Sequence, residues 1–303
     1  MLYEVLHNNP GVMIKYRLDG GIFKLARLKS QRNTNTTNVT GLQYADDNAA
    51  VVHIQAEFQE SVDNFHAAYT CFSLTVSKAK TKILTQQRPG EHPPVTNITM
   101  DRTTIECDEH FPYLGSILST QSTSSEIENR LQAGHTACGR LFTRVFMDKD
   151  LTTHTKVMVY NAIIVSTLLY VCETWILYSR NLKKLEQFHQ KKLRAIMKIK
   201  WNDCASNTAV FEKANLTSIE AMIMKHHFRW SGHVMHMEDT RLPKKILFSE
   251  LNTGSHPRSR PMLRFEDQLK ETNIDPNTFE ASASNRNEWS SKVKVGTDLF
   301  KEN

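Results

Sequence analysis

The spacing of hydrophobic positions changes along the chain. Before about residue 120 they come mostly in short alternating runs, and after it at intervals of three and four. Residues 12–27 alternate around Asp19-Gly20-Gly21, which predicts a hairpin with a tight turn. The polar stretch 29–38 reads as a loop. A strand ending near Ala45 and a second from Ala49 to Ile54 enclose the adjacent acids Asp46 and Asp47. Phe58, Val62, Phe65, Tyr69 and Phe72 then recur at helical spacing, predicting an amphipathic helix over 56–72. Strand periodicity returns at 81–85, in a hairpin around Asp101-Arg102 and in a short strand at 111–118.

From residue 120 onwards the pattern is helical. Ser125 and Glu128 have capping-box spacing for a helix to about Phe146. Thr152 or Thr153 can cap the next, to about Leu177, and a third covers 180–199. Thr217 and Glu220 have capping-box spacing for another. "HPRSRP" at 256–261 reads as a linker, and a short helix can open at Asp275-Pro276. Strands followed by helices predict an α+β fold with an α-rich second part.

Composition narrows the function classes. The chain has 303 residues, 40% hydrophobic, enough for one to three domains. A net charge of +6 favours an anionic partner. The five cysteines at 71, 107, 138, 172 and 204 form no C-x-x-C pair, so no structural zinc is expected and reduced thiols in an intracellular protein are. The N-terminal residues lack the basic-then-apolar pattern of a signal peptide. The most apolar run, 159–178, is interrupted by Asn161, Ser166, Thr167 and Glu173 and reads as a buried helix, with no membrane partner.

Candidate chemistry centres on two stretches. Adjacent carboxylates on a hairpin tip can share divalent cations, and phosphoryl transfer uses two such ions; a solvated turn is the plain alternative. Residues 180–200 hold eight Lys/Arg against one acid. At about 100° per residue, Leu182, Leu185, Phe188, Leu193 and Ile196 fall on one half. Arg180, Lys183, Lys184, Lys191, Arg194, Lys198 and Lys200 fall on the other, a stripe that can follow phosphates or be a solvated face. His226, His227, His233 and His236 read as structural or phosphate-contacting, and Trp201, Trp230 and Trp289 as core.

In order, "YADD", a helix, "FSLTVSKAKTKIL" and "FPYLGS" resemble the palm of reverse transcriptases, most closely those of non-LTR (LINE-type) retrotransposons. Downstream, "RLQAGHTACGRLFTRVF", "FHQKKLRAIMKIKW", "SIEAMIMKHHFRWSGHVMHM", "RLPKKILFSEL" and "NEWSSKV" look like the thumb and C-terminal region of such elements. The resemblance implies an RNA-directed DNA polymerase. Asp46 and Asp47 would be metal ligands for Mg²⁺ or Mn²⁺. Lys80 would serve the incoming nucleotide or leaving pyrophosphate. Tyr113, Leu114 and Gly115 would form the primer grip. Ser73 stands where the family carries glycine. By the same resemblance, Lys183, Lys184, Lys191, Arg194 and Lys198 would contact nucleic acid.

The implied partners are an RNA template, a DNA primer and, with a completed palm, deoxynucleoside triphosphates; the implied location is cytoplasmic or nuclear. A partial palm is expected over 1–120, a thumb-like region over 121–200 and a helical C-terminal region over 201–303. A palm needs a further carboxylate, and before Asp46 the chain carries only Glu4 and Asp19, neither in the family's acidic motif. The expectation is the C-terminal part of a larger polyprotein, beginning inside the palm and inactive alone. The alternative is a non-catalytic remnant that binds RNA or template-primer.

Overall fold

A computed structural model of the chain describes residues 9–19, 21–30, 32–86, 96–120, 123–176, 178–252 and 265–299. It divides into two units: Met1–Ser122 with Glu238–Arg258, and Thr123–Met237 with Ser259–Asn303. Among the described residues helix predominates, with small sheets confined to the first unit.

In the first unit, β1 (Val12–Tyr16) lies between β2 (Asn35–Val39) and the strand Ser249–Leu251, antiparallel to both. Ile14 stands opposite Thr37 on one side and Leu251 on the other. The hairpin expected over 12–27 is therefore not formed. Its second half holds a 3₁₀ turn (Leu25–Lys29) with Ile22 and Leu28 buried. The partner strand comes instead from the stretch read as loop, where Thr36, Thr37 and Val39 supply β-branched side chains. Arg27 fastens the turn by donating to the carbonyls of Arg17 and Asp19.

The acid pair sits on a two-stranded ribbon, β3 (Gly41–Tyr44) with β4 (Asp47–Ala50). Only glycine fits at Gly41, because a Cβ there would lie 2.7 Å from the Ala49 carbonyl oxygen. α1 (Gln55–Cys71) follows and buries Val62 and Phe65. Val62 belongs to a small core with Ile83, Ile98, Met100 and Ile105. Phe72, expected on that stripe, is 46% exposed because the helix has ended at Cys71. β5 (Lys82–Ile83) runs parallel to β8 (Glu106–Cys107), and β6 (Thr99–Met100) forms the expected hairpin with β7 (Thr103–Thr104). The single strand expected at 111–118 is a hairpin, β9 (His110–Tyr113) with β10 (Ser116–Ser119). Where one antiparallel palm sheet was expected, the described strands make one three-stranded and four two-stranded sheets, one of them parallel.

The second unit is all helical among its described residues. α2 (Ser124–Leu141) runs into a π-helical turn (Phe142–Phe146). α3 (Thr153–Val159) continues through a π segment (Tyr160–Val165) to Leu168. Thr152 caps it, accepting from the Thr155 amide at 3.2 Å. The 159–178 run is buried as expected at Tyr160, Ile164, Leu168, Cys172 and Trp175, but not as one helix. Val171 adopts φ 62°, and a 3₁₀ turn (Cys172–Thr174) follows. No helix among the described residues is long and apolar enough to cross a membrane.

α4 (Ser179–Ile196), α5 (Asn207–Ala214) and α6 (Ile219–Met235) complete one core with α2 and α3. Val210, Ala214, Ile219 and Ile223 pack in the same cluster as Leu185 and Leu193. Residue 200 is thus not a boundary between two cores. Neither expected capping box forms. Ser125 lies inside α2 while Glu128 pairs with Lys184. α6 is capped by Ser218, which accepts from the Ala221 amide, and by Glu186, which accepts from the Ile219 amide at 2.9 Å. α7 (Phe265–Glu271), α8 (Phe279–Ser284) and α9 (Arg286–Leu299) close the unit. Phe228, Phe265, Phe279 and Trp289 meet there edge to face, and Trp289 Nε1 donates to the Phe228 carbonyl at 2.8 Å. The 256–261 linker lies outside the described residues.

Candidate functional site

Tyr44 pairs with Asp47, so Ala45 and Asp46 alone make the turn between β3 and β4. Ala45 takes φ 51° to close it. Asp46 is therefore the hairpin tip and Asp47 the first residue of the returning strand, both exposed. Asn48 Nδ2 donates to the Tyr69 hydroxyl at 3.3 Å, fixing the ribbon to α1. Burial, and secondarily the Asp47 charge, push the Tyr113 phenol up, which places Tyr113 within electrostatic reach of Asp47. Leu114 and Gly115 form the two-residue turn between β9 and β10 at φ 48° and 79°, a conformation glycine takes freely.

Lys80 is exposed in the turn after Ser77, and no ion pair or hydrogen bond joins its side chain to a described residue. Its neighbours are the engaged ones: Lys78 pairs with Asp101 at 2.9 Å, and Lys82 with Glu106. Ser73 stands at φ 58°. The Leu74 amide returns to the Tyr69 carbonyl and the Ser73 amide to the Thr70 carbonyl, the Schellman end of a helix. The position where the resembled family has glycine is one whose backbone favours it.

The donor set at the hairpin, two hard carboxylates, suits Mg²⁺ or Mn²⁺. Among the described residues, no third Asp, Glu, His or Cys joins Asp46 and Asp47 in a group able to hold an ion.

The basic helix divides its cations into two kinds. Lys184 is tied to Glu128 at 2.7 Å. Arg194 donates to the Ala205 carbonyl and to Asn207 Oδ1, both at 2.9 Å, and so holds the loop before α5. Lys183, Lys191 and Lys198 are exposed and have no such partner among the described residues. Lys198 ends the helix at φ 57°, with the Ile199 amide returning to the Arg194 carbonyl. Burial, then the charges of Lys192 and Lys191, lower the His135 pKa. A cleft of about 270 Å³ at the end of α4 is lined by Lys149, Lys156, Lys198, Thr152 and Thr153 with Asp148.

Trp201, expected in the core, is 93% exposed beside Lys198 and Lys200. It was hidden to a pattern argument because large aromatics are usually buried. Its signal is position: it follows the helix end, where the Lys200 amide donates to Asp203 and turns the chain. Trp289 is buried as expected, and Trp230 is 41% exposed.

The histidines split as well. His227 is buried, with Nδ1 3.0 Å from Gln268 Oε1 and Nε2 3.0 Å from the Cys172 carbonyl, a structural role. His226 Nδ1 lies 3.0 Å from Glu173 Oε1. His233 and His236 are exposed. No protein-family model, curated protein or solved structure matches the chain.

Proposed function

We propose that this chain is a piece of a LINE-type reverse transcriptase that holds a primed RNA template and does not extend the primer by itself. The observation that carries the reading is the hairpin: two adjacent exposed carboxylates, one in a two-residue turn and one on the first residue of the returning strand. Asp46 and Asp47 would hold Mg²⁺ or Mn²⁺, which in phosphoryl transfer activates the attacking oxygen and steadies the leaving one. Two ligands leave an ion loosely placed, and misplacement by about 1 Å costs roughly a hundredfold in rate.

Holding the template falls to Lys183, Lys191 and Lys198, which are exposed and have no ion-pair partner among the described residues, with Trp201 as a surface on which a base can stack. Lys184 and Arg194 are already engaged, with Glu128 and with the Ala205 carbonyl and Asn207. The test is oligo(dT)-primed poly(rA) offered to the full chain. Binding that weakens steeply with salt, without extension, is expected. Absence of binding at low salt would overturn the reading. Extension that Asp46→Asn abolishes would overturn the claim that the chain alone is inactive.

A binding-only remnant is the second reading. What favours it is that, among the described residues, no third ligand joins Asp46 and Asp47. It predicts the same salt dependence with no contribution from the acid pair.

A further inference from the structure

We propose that Cys172, Glu173 and His226 form a binding site for one zinc-class divalent ion, separate from the acid hairpin. One thiol sulfur, one carboxylate oxygen and one imidazole nitrogen lie there within 4.8 Å of one another. Zinc bonds of about 2.0–2.3 Å in a tetrahedron put ligand atoms roughly 3.3–3.8 Å apart. The Glu173–His226 pair is already at 3.0 Å, so a small adjustment of side chains suffices.

The backbone presents these groups from two firmly held elements. Val171 takes φ 62°, rare for a β-branched residue, and turns the chain so that Cys172 and Glu173 follow on one 3₁₀ turn. His227 Nε2 donates to the Cys172 carbonyl and locks that turn against α6. The preceding residue on α6, His226, presents its ring to Glu173. Cys172 is wholly buried while Glu173 and His226 are partly exposed, so an ion has a route in from one side and a dry sulfur on the other.

The ligand chemistry selects the ion. Thiolate with imidazole favours zinc and disfavours Mg²⁺, the reverse of the two carboxylates at Asp46 and Asp47. Three protein ligands leave a fourth position for water or an exogenous donor. The sequence hides the site because two ligands are adjacent and the third lies on a distant helix, giving no recognisable spacing.

The full chain, stripped of metal and kept reduced, is titrated with Co²⁺ and then Zn²⁺. One equivalent of Co²⁺ with a thiolate-to-metal charge-transfer band, displaced by Zn²⁺, is expected. The band should survive in a Cys71→Ser/Cys107→Ser/Cys204→Ser background, where the exposed thiols are gone. Cys172→Ser should abolish it. Because that sulfur is buried and the variant can fail to fold, His226→Gln and Glu173→Gln carry the test independently. Each should weaken Co²⁺ binding by more than about tenfold with the circular dichroism unchanged; even outer partners of a metal ligand are worth roughly 10–100-fold. No thiolate band in the triple-serine background, or equal binding by wild type and the His226 and Glu173 variants, would overturn the site.

Discussion

Ser73 closes the Schellman end of α1 in the left-handed region, where a Cβ crowds the following carbonyl. Ser73→Gly removes that cost, and the two returning hydrogen bonds do not involve the side chain. The expected gain is about 1 kcal/mol in urea unfolding, with the slope unchanged; a neutral or destabilising result would mean the turn relaxes elsewhere. Glu186 makes a second prediction. Burial, with the charge of Glu220 adding and the Ile219 hydrogen bond opposing, pushes its carboxyl up to about 7. The folded state therefore holds the proton more tightly than the unfolded state, whose carboxyl titrates near 4.5. Stability from this group is full below that value and is lost as pH rises to about 7. Glu186→Gln keeps an oxygen for the Ile219 amide, so it should flatten stability between pH 5 and 7 and add about 2 kcal/mol at pH 8. An unchanged pH profile would show that Glu186 is solvated. Neither residue was legible as such in the sequence: Ser73 was marked only by the resemblance to a family with glycine there, and Glu186 by nothing, since its burial comes from α6 packing over α4.

Among elements, periodicity served where one face is buried and failed where pairing is non-local. α1 and α4 were legible because Val62 and Phe65, and Leu185, Phe188 and Leu193, recur at helical spacing. The partner of β1 was not, since its neighbours come from residues 35–39 and 249–251 and only tertiary pairing selects them. Capping failed where Ser125, Thr217 and their acids had the right spacing but packing chose Thr123 and Ser218 as the first residues outside the helices. The basic face of α4 was visible as charge, but not which cations the fold itself would use. That division gives a prediction. Lys183→Gln/Lys191→Gln/Lys198→Gln should make the slope of log K against log salt shallower by about two to three units on an RNA–DNA duplex. The same change at the exposed Lys213, Lys225 and Lys294 should leave it nearly unaltered, and Lys184→Gln should do little because Glu128 already answers that charge. Trp201→Ala should cost single-stranded RNA binding about 1–3 kcal/mol without changing the slope. Equal slopes in all these proteins would reduce α4 to a solvated face.

For the molecule as a whole, the proposed division of labour rests on charge type. Hard carboxylates stand on a ribbon of the first unit, and lysines without a partner among the described residues, with an exposed tryptophan, on the second. A net charge of +6 adds a general attraction to polyanions, so binding alone discriminates poorly between a reverse-transcriptase piece and any basic protein. Position along the nucleic acid discriminates better. Fe²⁺ can take the place of Mg²⁺ between carboxylates, and peroxide oxidises it to give hydroxyl radicals that cut nucleic acid close to the ion. The full chain is bound to a primed RNA template, loaded with Fe²⁺ and sampled for cuts, beside the Asp46→Asn/Asp47→Asn protein at matched occupancy. Cuts clustered at the primer 3′ end in the wild type and lost in the variant are the predicted result. Cuts spread evenly along the duplex, or an identical pattern from both proteins, would contradict a metal-bearing hairpin at the site of polymerisation.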